Sequence, residues 1–306
     1  MFKLIFVVLA LTLLAGCATT TGSEKKLNTQ ELPIIKQLFS TPKPNETKSN
    51  LTFENAKQLV KTFIPDWEKA AAQMKSLQNN PPSDYARKTW AHLDSETNAL
   101  SGIAPLERAT DAQDVNDLFV KSTWLRRRIL SENADPRYSY AYAGNLNYMR
   151  DKNGGFNDEA ALFYYHATLS MTIDGSRCLD ASSPESIMLG FETQKYMRPL
   201  LENIHKMPEK KRATLLLGAV AIEEMRGERP LIKSFCTRGN RTIMRALAAK
   251  KEMREVESGP GVLGKTIAVD ASGIEPELLD ETKWREKRRE VLDKYVRDAV
   301  AIFNKN

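Results

Sequence analysis

Histidine and cysteine are scarce in this chain of 306 residues, which holds three of each. His92, His166 and His205 never pair at the i, i+4 spacing that lets one helix face grip a metal, so no metal site is expected. Cys17, Cys178 and Cys236 contain no C-x-x-C pair, which excludes a redox dithiol motif. There is no G-x-S-x-G elbow to hold a hydrolase nucleophile. Beyond the N-terminus no apolar run nears the ~20 residues that a bilayer-spanning helix needs. Sustained period-two alternation is lacking, and nothing recurs at a 34-residue period, although "LLLGAVA" (Leu215 to Ala221) resembles the L-G-x-x pattern of tetratricopeptide-type helices. Charge of one sign is also modest. The net charge is +6, a balance that suits an anionic surface but is too dilute to select one.

What is present begins at the N-terminus, "MFKLIFVVLALTLLAGCATTTG". Lys3 supplies a positive start, and Leu4 to Ala15 form an apolar run broken only by Thr12, as in the core of a secretory signal. The run ends in Leu14-Ala15-Gly16-Cys17, which resembles the lipobox of bacterial lipoproteins. The resemblance covers only these first residues. It implies cleavage before Cys17, lipidation of the Cys17 thiol and acylation of the new amine. Ala18 after the cysteine implies sorting to the outer membrane, facing the periplasm. More than one acyl chain gives a stable anchor, so the membrane is an expected partner through lipid alone, and nucleic acid is not. With Cys17 acylated, Cys178 and Cys236 remain as an even pair in an oxidising compartment. They are expected to form a disulfide contributing roughly 4 kcal/mol; two buried free thiols are the alternative.

Residues 1–16 are thus read as a cleaved signal peptide and 17–50 as a lipidated flexible tether. The tether is polar at both ends, with a short apolar segment, Leu32 to Phe39, between them. Residues 51–306 read as a helical domain with a sub-boundary near 132–156. The clearest helix is marked by Phe53, Ala56, Val60, Phe63, Trp67, Ala70, Met74 and Leu77 at spacings of three and four, with a kink or break expected at Pro65. Ala86, Trp90, Leu93, Thr97 and Leu100 give a second stripe. Val115, Leu118, Ser122, Leu125 and Ile129 give a third, behind a capping box of Thr110 and Gln113. "RYSYAYAGNLNY" (Arg137 to Tyr148) alternates aromatic and small residues and predicts a strand or extended segment. Asn157 opens an all-round apolar, hence central, helix. Further helices are expected from Ser183 (restarting at Pro199), from Pro208, over 239–256 as a basic amphipathic helix, and from about Pro276 to Phe303. The last should turn Val291, Tyr295, Ala299 and Ile302 inward, and 258–276 reads as loop. The fold class is all-α: a multi-helix bundle or an irregular helical-repeat-like array behind a flexible tether.

Several features suggest chemistry. "GPGVLGKT" matches the phosphate-loop pattern through Gly259, Gly264, Lys265 and Thr266. A phosphate cradle needs a strand before and a helix after, whereas here a charged helix precedes and a β-branched stretch follows, so the match is read as a decoy in a surface loop. Glu223 and Glu224 could be the acids of a glycan-cleaving site, although paired carboxylates at a helix end usually lie in solvent. His166 reads as a core histidine with a satisfied hydrogen bond. Six of the nine tyrosines lie between Tyr138 and Tyr165. Tyr138, Tyr140, Tyr142 and Tyr148 are the candidates for a recognition surface, joined by Arg177 and Asp180 in the turn "GSRCLDASS". The alternatives are tyrosines packed in a core and a disulfide-pinned turn with a local Arg–Asp pair. Basic runs such as Arg126 to Arg128 read as solvated helix faces, and Trp284 as a lipid-interface residue. No catalytic set is identified and no cofactor is expected. The function expected is binding or scaffolding of an envelope protein or glycan. An enzyme acting on envelope polymer is the alternative, and nucleotide binding through Gly259 to Thr266 stands behind both.

Overall fold

A computed structural model describes residues 50–99, 106, 109–149, 156–184, 197–230, 232–237, 239–256, 266–271 and 273–305. The signal segment, Cys17, the tether to residue 49, Leu100 and the loop match from Gly259 to Lys265 lie outside these residues. The architecture is a helical bundle carrying one two-stranded hairpin.

Helix α1, Phe53–Asn79, starts where Thr52 accepts a hydrogen bond from the Asn55 amide at 3.2 Å. Its buried stripe is Ala56, Val60, Phe63, Trp67, Ala70 and Met74, as the spacing predicts. Of the kink or break expected at Pro65, the break does not occur, since the helix continues through it. Pro65 is exposed, and the stripe is buried on both sides of it. Burial of large apolar side chains contributes ~1.5–3 kcal/mol each, so together they outweigh the ~3 kcal/mol penalty of one internal proline. α2, Asp84–Ala99, buries Ala86, Trp90 and Leu93. α3, Val115–Ser131, is capped by Asp114, whose side chain accepts from the Asp117 amide. The expected cap at Thr110 is therefore corrected. Its hydroxyl bonds back to the Leu106 carbonyl within the preceding turn. Asp117 in turn accepts from the amide of Gln113, the residue before the cap, so the two aspartates satisfy donors on both sides of the helix start without closing the reciprocal box.

Arg137–Tyr148 forms helix α4, correcting the strand expected from its alternation. Every residue from Tyr138 to Asn147 is buried, so no wet face exists to imprint a helical period on the sequence. Ala141, Ala143 and Gly144 let α3 and α5 approach closely on either side. α5, Asn157–Gly175, and α7, Glu209–Arg226, pack against each other at the centre. α6, Met197–Lys206, carries Pro199 in its first turn, where a missing amide is harmless. α7 also contacts α1 and the last helix.

The basic helix expected over 239–256 ends early. α8 is Asn240–Ala248, and the chain reverses at Lys250 in the left-handed region (φ 53). It then runs into β1, Met253–Val256, which pairs antiparallel with β2, Thr266–Val269, in the register Met253 to Val269. The loop expected over 258–276 thus contains a strand. α9, Glu281–Phe303, begins at its Asp280 cap rather than at Pro276. Its buried stripe is Trp284, Val291, Leu292, Val296 and Ala299, with Tyr295 and Ile302 at its margin. Trp284 is 1% exposed, which corrects the interface reading: its indole donates to the Ile173 carbonyl, and the Arg177 guanidinium lies 3.6 Å above its ring. Cys178 and Cys236 form a disulfide (S–S 2.00 Å) between the turn after α5 and the 3-10 turn Lys233–Cys236. Asn304 clamps both the amide and the carbonyl of Leu51 at 2.8 Å, fixing the start of the body to the end of α9.

Candidate functional site

The polar chemistry of the chain converges between α5 and α7. α5 presents His166, Ser170 and Asp174 on one face, at i, i+4 and i+8. α7 ends at Arg226. Gly227, at φ 68, then turns the chain so that Arg229 points back into the bundle. Arg229 reaches Glu223 Oε2 at 2.6 Å and Asp174 Oδ1 at 3.0 Å. Ser170 donates to Glu223 at 2.7 Å. His166 sits among these groups, with Nδ1 2.9 Å from Ser139 Oγ and Nε2 3.1 Å from Arg226 Nη1. Arg226 also donates to the Ala134 carbonyl, which ties this cluster to the turn before α4.

Burial depresses the His166 pKa to about 4, reinforced by Arg226 and Arg229, so the imidazole is neutral at physiological pH. Nε2 faces the donor Arg226 Nη1 at 3.1 Å, and also Ser170 Oγ at 3.2 Å and the acceptor Glu223 Oε2 at 3.6 Å. Burial would raise the Glu223 pKa, but Arg229, His166 and Arg226 together outweigh it and hold the carboxylate ionised. Burial lowers Arg226 to about 9, helped by the like charge of Arg229. Burial raises the Asp174 pKa despite Arg229 beside it.

Ser139, His166 and Glu223 have the composition of a nucleophile–base–acid relay, but not its working state. All three residues are 0% exposed, so a substrate has no access to them. The cluster instead joins α4, α5, α7 and the chain after α7 by charge-assisted bonds. His166 is the buried, hydrogen-bonded histidine that its apolar helix predicts. Glu223 departs from the solvated charge expected of it, while Glu224 is exposed. Ser139, Ser170, Arg226 and Arg229 went unremarked in the sequence. The available signal was a glycine directly after a helix, followed by an arginine.

The expected tyrosine surface is corrected. Tyr138, Tyr140 and Tyr142 are 6%, 0% and 2% exposed, and only Tyr148, at 75%, faces solvent. Tyr142 packs edge-on to Phe163 and donates to Glu159, and burial pushes its pKa well up, which keeps it protonated. Arg126 lies 3.5 Å from the same carboxylate. The run Arg126 to Arg128 is not a solvated face either: Arg127 is 1% exposed and bridges to Asp94 at 2.9 Å.

Arg177 and Asp180 do not form the expected local pair. Arg177 donates to the Arg229 carbonyl at 2.8 Å. Asp180 accepts from Ser182 and from the Arg241 amide, which fixes the start of α8. Gly259, Gly264 and Lys265 are outside the described residues, and Thr266 opens strand β2 where a phosphate loop would open a helix. Among the described residues no three histidine, cysteine, aspartate or glutamate side chains group as a metal set, and no helix is long and apolar enough to cross a membrane. No family model matches the chain, and no curated protein or solved structure matches it.

Proposed function

We propose that this chain is a lipid-anchored lipoprotein of the bacterial outer membrane, facing the periplasm, whose helical body binds or scaffolds an envelope protein or glycan. The lipid anchor rests on Leu14-Ala15-Gly16-Cys17. The observation that carries the binding role is the state of the reactive groups. His166, Ser139, Ser170 and Glu223 are enclosed and committed to one another, so they brace helices rather than meet a substrate. Cleavage of an envelope polymer would need a carboxyl group that keeps its proton and reaches solvent. Glu223 has neither property, and Glu224 lies open on the helix surface.

Two measurements test the reading. Palmitate labelling of the expressed protein should be abolished by Cys17→Ala, with release from the membrane fraction. Crosslinking in intact envelopes should capture a discrete protein or glycan partner. Failure to incorporate lipid would overturn the anchor. Cleavage of peptidoglycan by the purified protein, lost in Glu224→Gln, would overturn the binding role in favour of an enzyme.

A further inference from the structure

We infer that the face formed by α8 and the β1–β2 hairpin docks on an anionic lipid bilayer. Of the described large hydrophobic residues that are exposed, Tyr85, Val115, Tyr148 and Leu179 lie elsewhere, whereas five belong to α8 and the hairpin. Ile243, Met244 and Leu247 form one stripe of α8 and are 37%, 65% and 37% exposed. Only Thr242 and Ala246 of this helix are buried. At 100° per residue, the exposed stripe lies between that buried edge and an edge bearing Arg241 and Arg245. β2 touches α8, and Met253 and Ile267 are 59% and 60% exposed. The strand register places both on the same face of the hairpin.

The charge of the segment fits an anionic surface. Residues 240–256 carry Arg241, Arg245, Lys250, Lys251 and Arg254 against Glu252 and Glu255. Arg241 and Arg245 are both paired with Glu277 of the segment before α9, so the charge left to meet an anionic surface is mainly that of Lys250 and Lys251 at the end of α8. An apolar stripe bordered by basic residues is the pattern of a helix that lies in a lipid interface. The apolar side chains are Ile, Leu and Met, without an aromatic. Protein interfaces draw their main anchors from Trp, Tyr and Arg seated in shaped pockets, whereas acyl chains solvate aliphatic groups without shape.

Reach is sufficient. The body begins at Leu51, beside Asn304 at the end of α9, and α8 contacts the segment leading into the start of α9. The two places are therefore separated by roughly the ~34 Å length of α9. The ~33 residues from Cys17 to the body would span ~30 Å as a coil and ~110 Å extended. A chain anchored at Cys17 can thus lay this face on its own membrane. The proposal takes from the lipid-anchor reading only this proximity.

The test uses the processed chain from residue 17 carrying Cys17→Ser, so that no acyl chain contributes. It should sediment with vesicles of phosphatidylethanolamine and phosphatidylglycerol (about 3:1) and be released by salt. Phosphatidylcholine vesicles should leave it in solution. Met244→Asp with Ile267→Asp, or Lys250→Glu with Lys251→Glu, should weaken binding by about tenfold or more, while circular dichroism stays unchanged. No vesicle binding, equal binding to both vesicle types, or full binding by both variants overturns the proposal. So does loss of the crosslinked protein partner in the Met244 and Ile267 variant with vesicle binding intact, which would make the face a protein interface. Palmitate incorporation at Cys17 is read separately, so failure here leaves the lipid-anchor reading standing, and the reverse holds too.

Discussion

Arg229 donates to Glu223 at 2.6 Å with both side chains enclosed in the bundle, and it reaches Asp174 from the same guanidinium. Removing one partner of such a pair leaves a charge stranded in low dielectric. Arg229→Met is expected to destabilise the protein by about 3–5 kcal/mol, a large fraction of a typical folding free energy. Adding Glu223→Gln to Arg229→Met should recover part of that loss, because the stranded carboxylate is gone. Urea denaturation midpoints of the two single variants and the double variant give the coupling. If the effects simply add, the two side chains do not interact as described.

His166 gives stability a defined pH dependence. Its folded pKa, about 4, lies below the ordinary value of 6.5, so between these values the unfolded chain binds the proton and the folded chain does not. Stability therefore rises with pH through this window and falls on acidification from pH 6.5 toward 4, by up to about 3 kcal/mol. Asp174, whose pKa is raised by burial, contributes with the opposite sign and offsets part of the fall. His166→Asn should flatten the slope of unfolding free energy between pH 4 and 6.5. An unchanged slope in that variant would place the titration elsewhere.

The tyrosines separate core from surface in one experiment. Tyr142→Phe removes a buried hydrogen bond to the Glu159 carboxylate and should destabilise by about 1.5–3 kcal/mol. Tyr148→Ala, on a side chain 75% exposed, should change stability by no more than about 0.5 kcal/mol. Thermal melts of both variants check the contrast. A large loss for Tyr148→Ala would contradict its exposed position.

Parts of this fold are legible in the sequence, and the reason lies in where water meets the chain. In α1 one face is wet and one is dry, so Ala56, Val60, Phe63 and Trp67 wrote the helix into the spacing. In α4 all sides are dry, so the order of Tyr and Ala reflects only which neighbour each residue meets. The pairing of Cys178 with Cys236 was legible as the even pair left once the lipobox resemblance assigns Cys17 to lipid. The partner of Glu223 could not follow from spacing, since Arg229 lies beyond the helix end and is aimed inward by the positive φ of Gly227. Trp284 and Arg127 misled because their neighbours in sequence are charged, while both side chains are buried, Trp284 beneath the Arg177 guanidinium and Arg127 against Asp94.

The disulfide closes a separation of 58 residues and joins the end of α5 to the turn before α8. In the chain-entropy account, opening a loop of that length removes about 4 kcal/mol. Cys178→Ser with Cys236→Ser should lower the thermal midpoint, and reductant should have no further effect on that variant. Reductant should lower the midpoint of the parent protein. Equal midpoints for the parent with and without reductant would mean that the two sulfurs are not bonded.

Pro65 lies within a continuous helix, exposed and opposite the buried stripe. Its ring removes one amide donor to the Lys61 carbonyl and crowds that carbonyl. An internal proline disfavours a helix by ~3 kcal/mol relative to alanine. Alanine also frees the unfolded chain, which returns up to ~1 kcal/mol of that difference. Pro65→Ala should therefore stabilise the protein by about 1–2 kcal/mol, seen as a higher urea midpoint with unchanged slope. The stripe through Phe63 and Trp67 decides the sign. If it packs equally well on a straight helix, the gain appears. If Trp67 keeps its edge contact with Phe163 only in the presence of Pro65, the variant loses stability and the near-ultraviolet circular dichroism of its aromatic side chains changes with it.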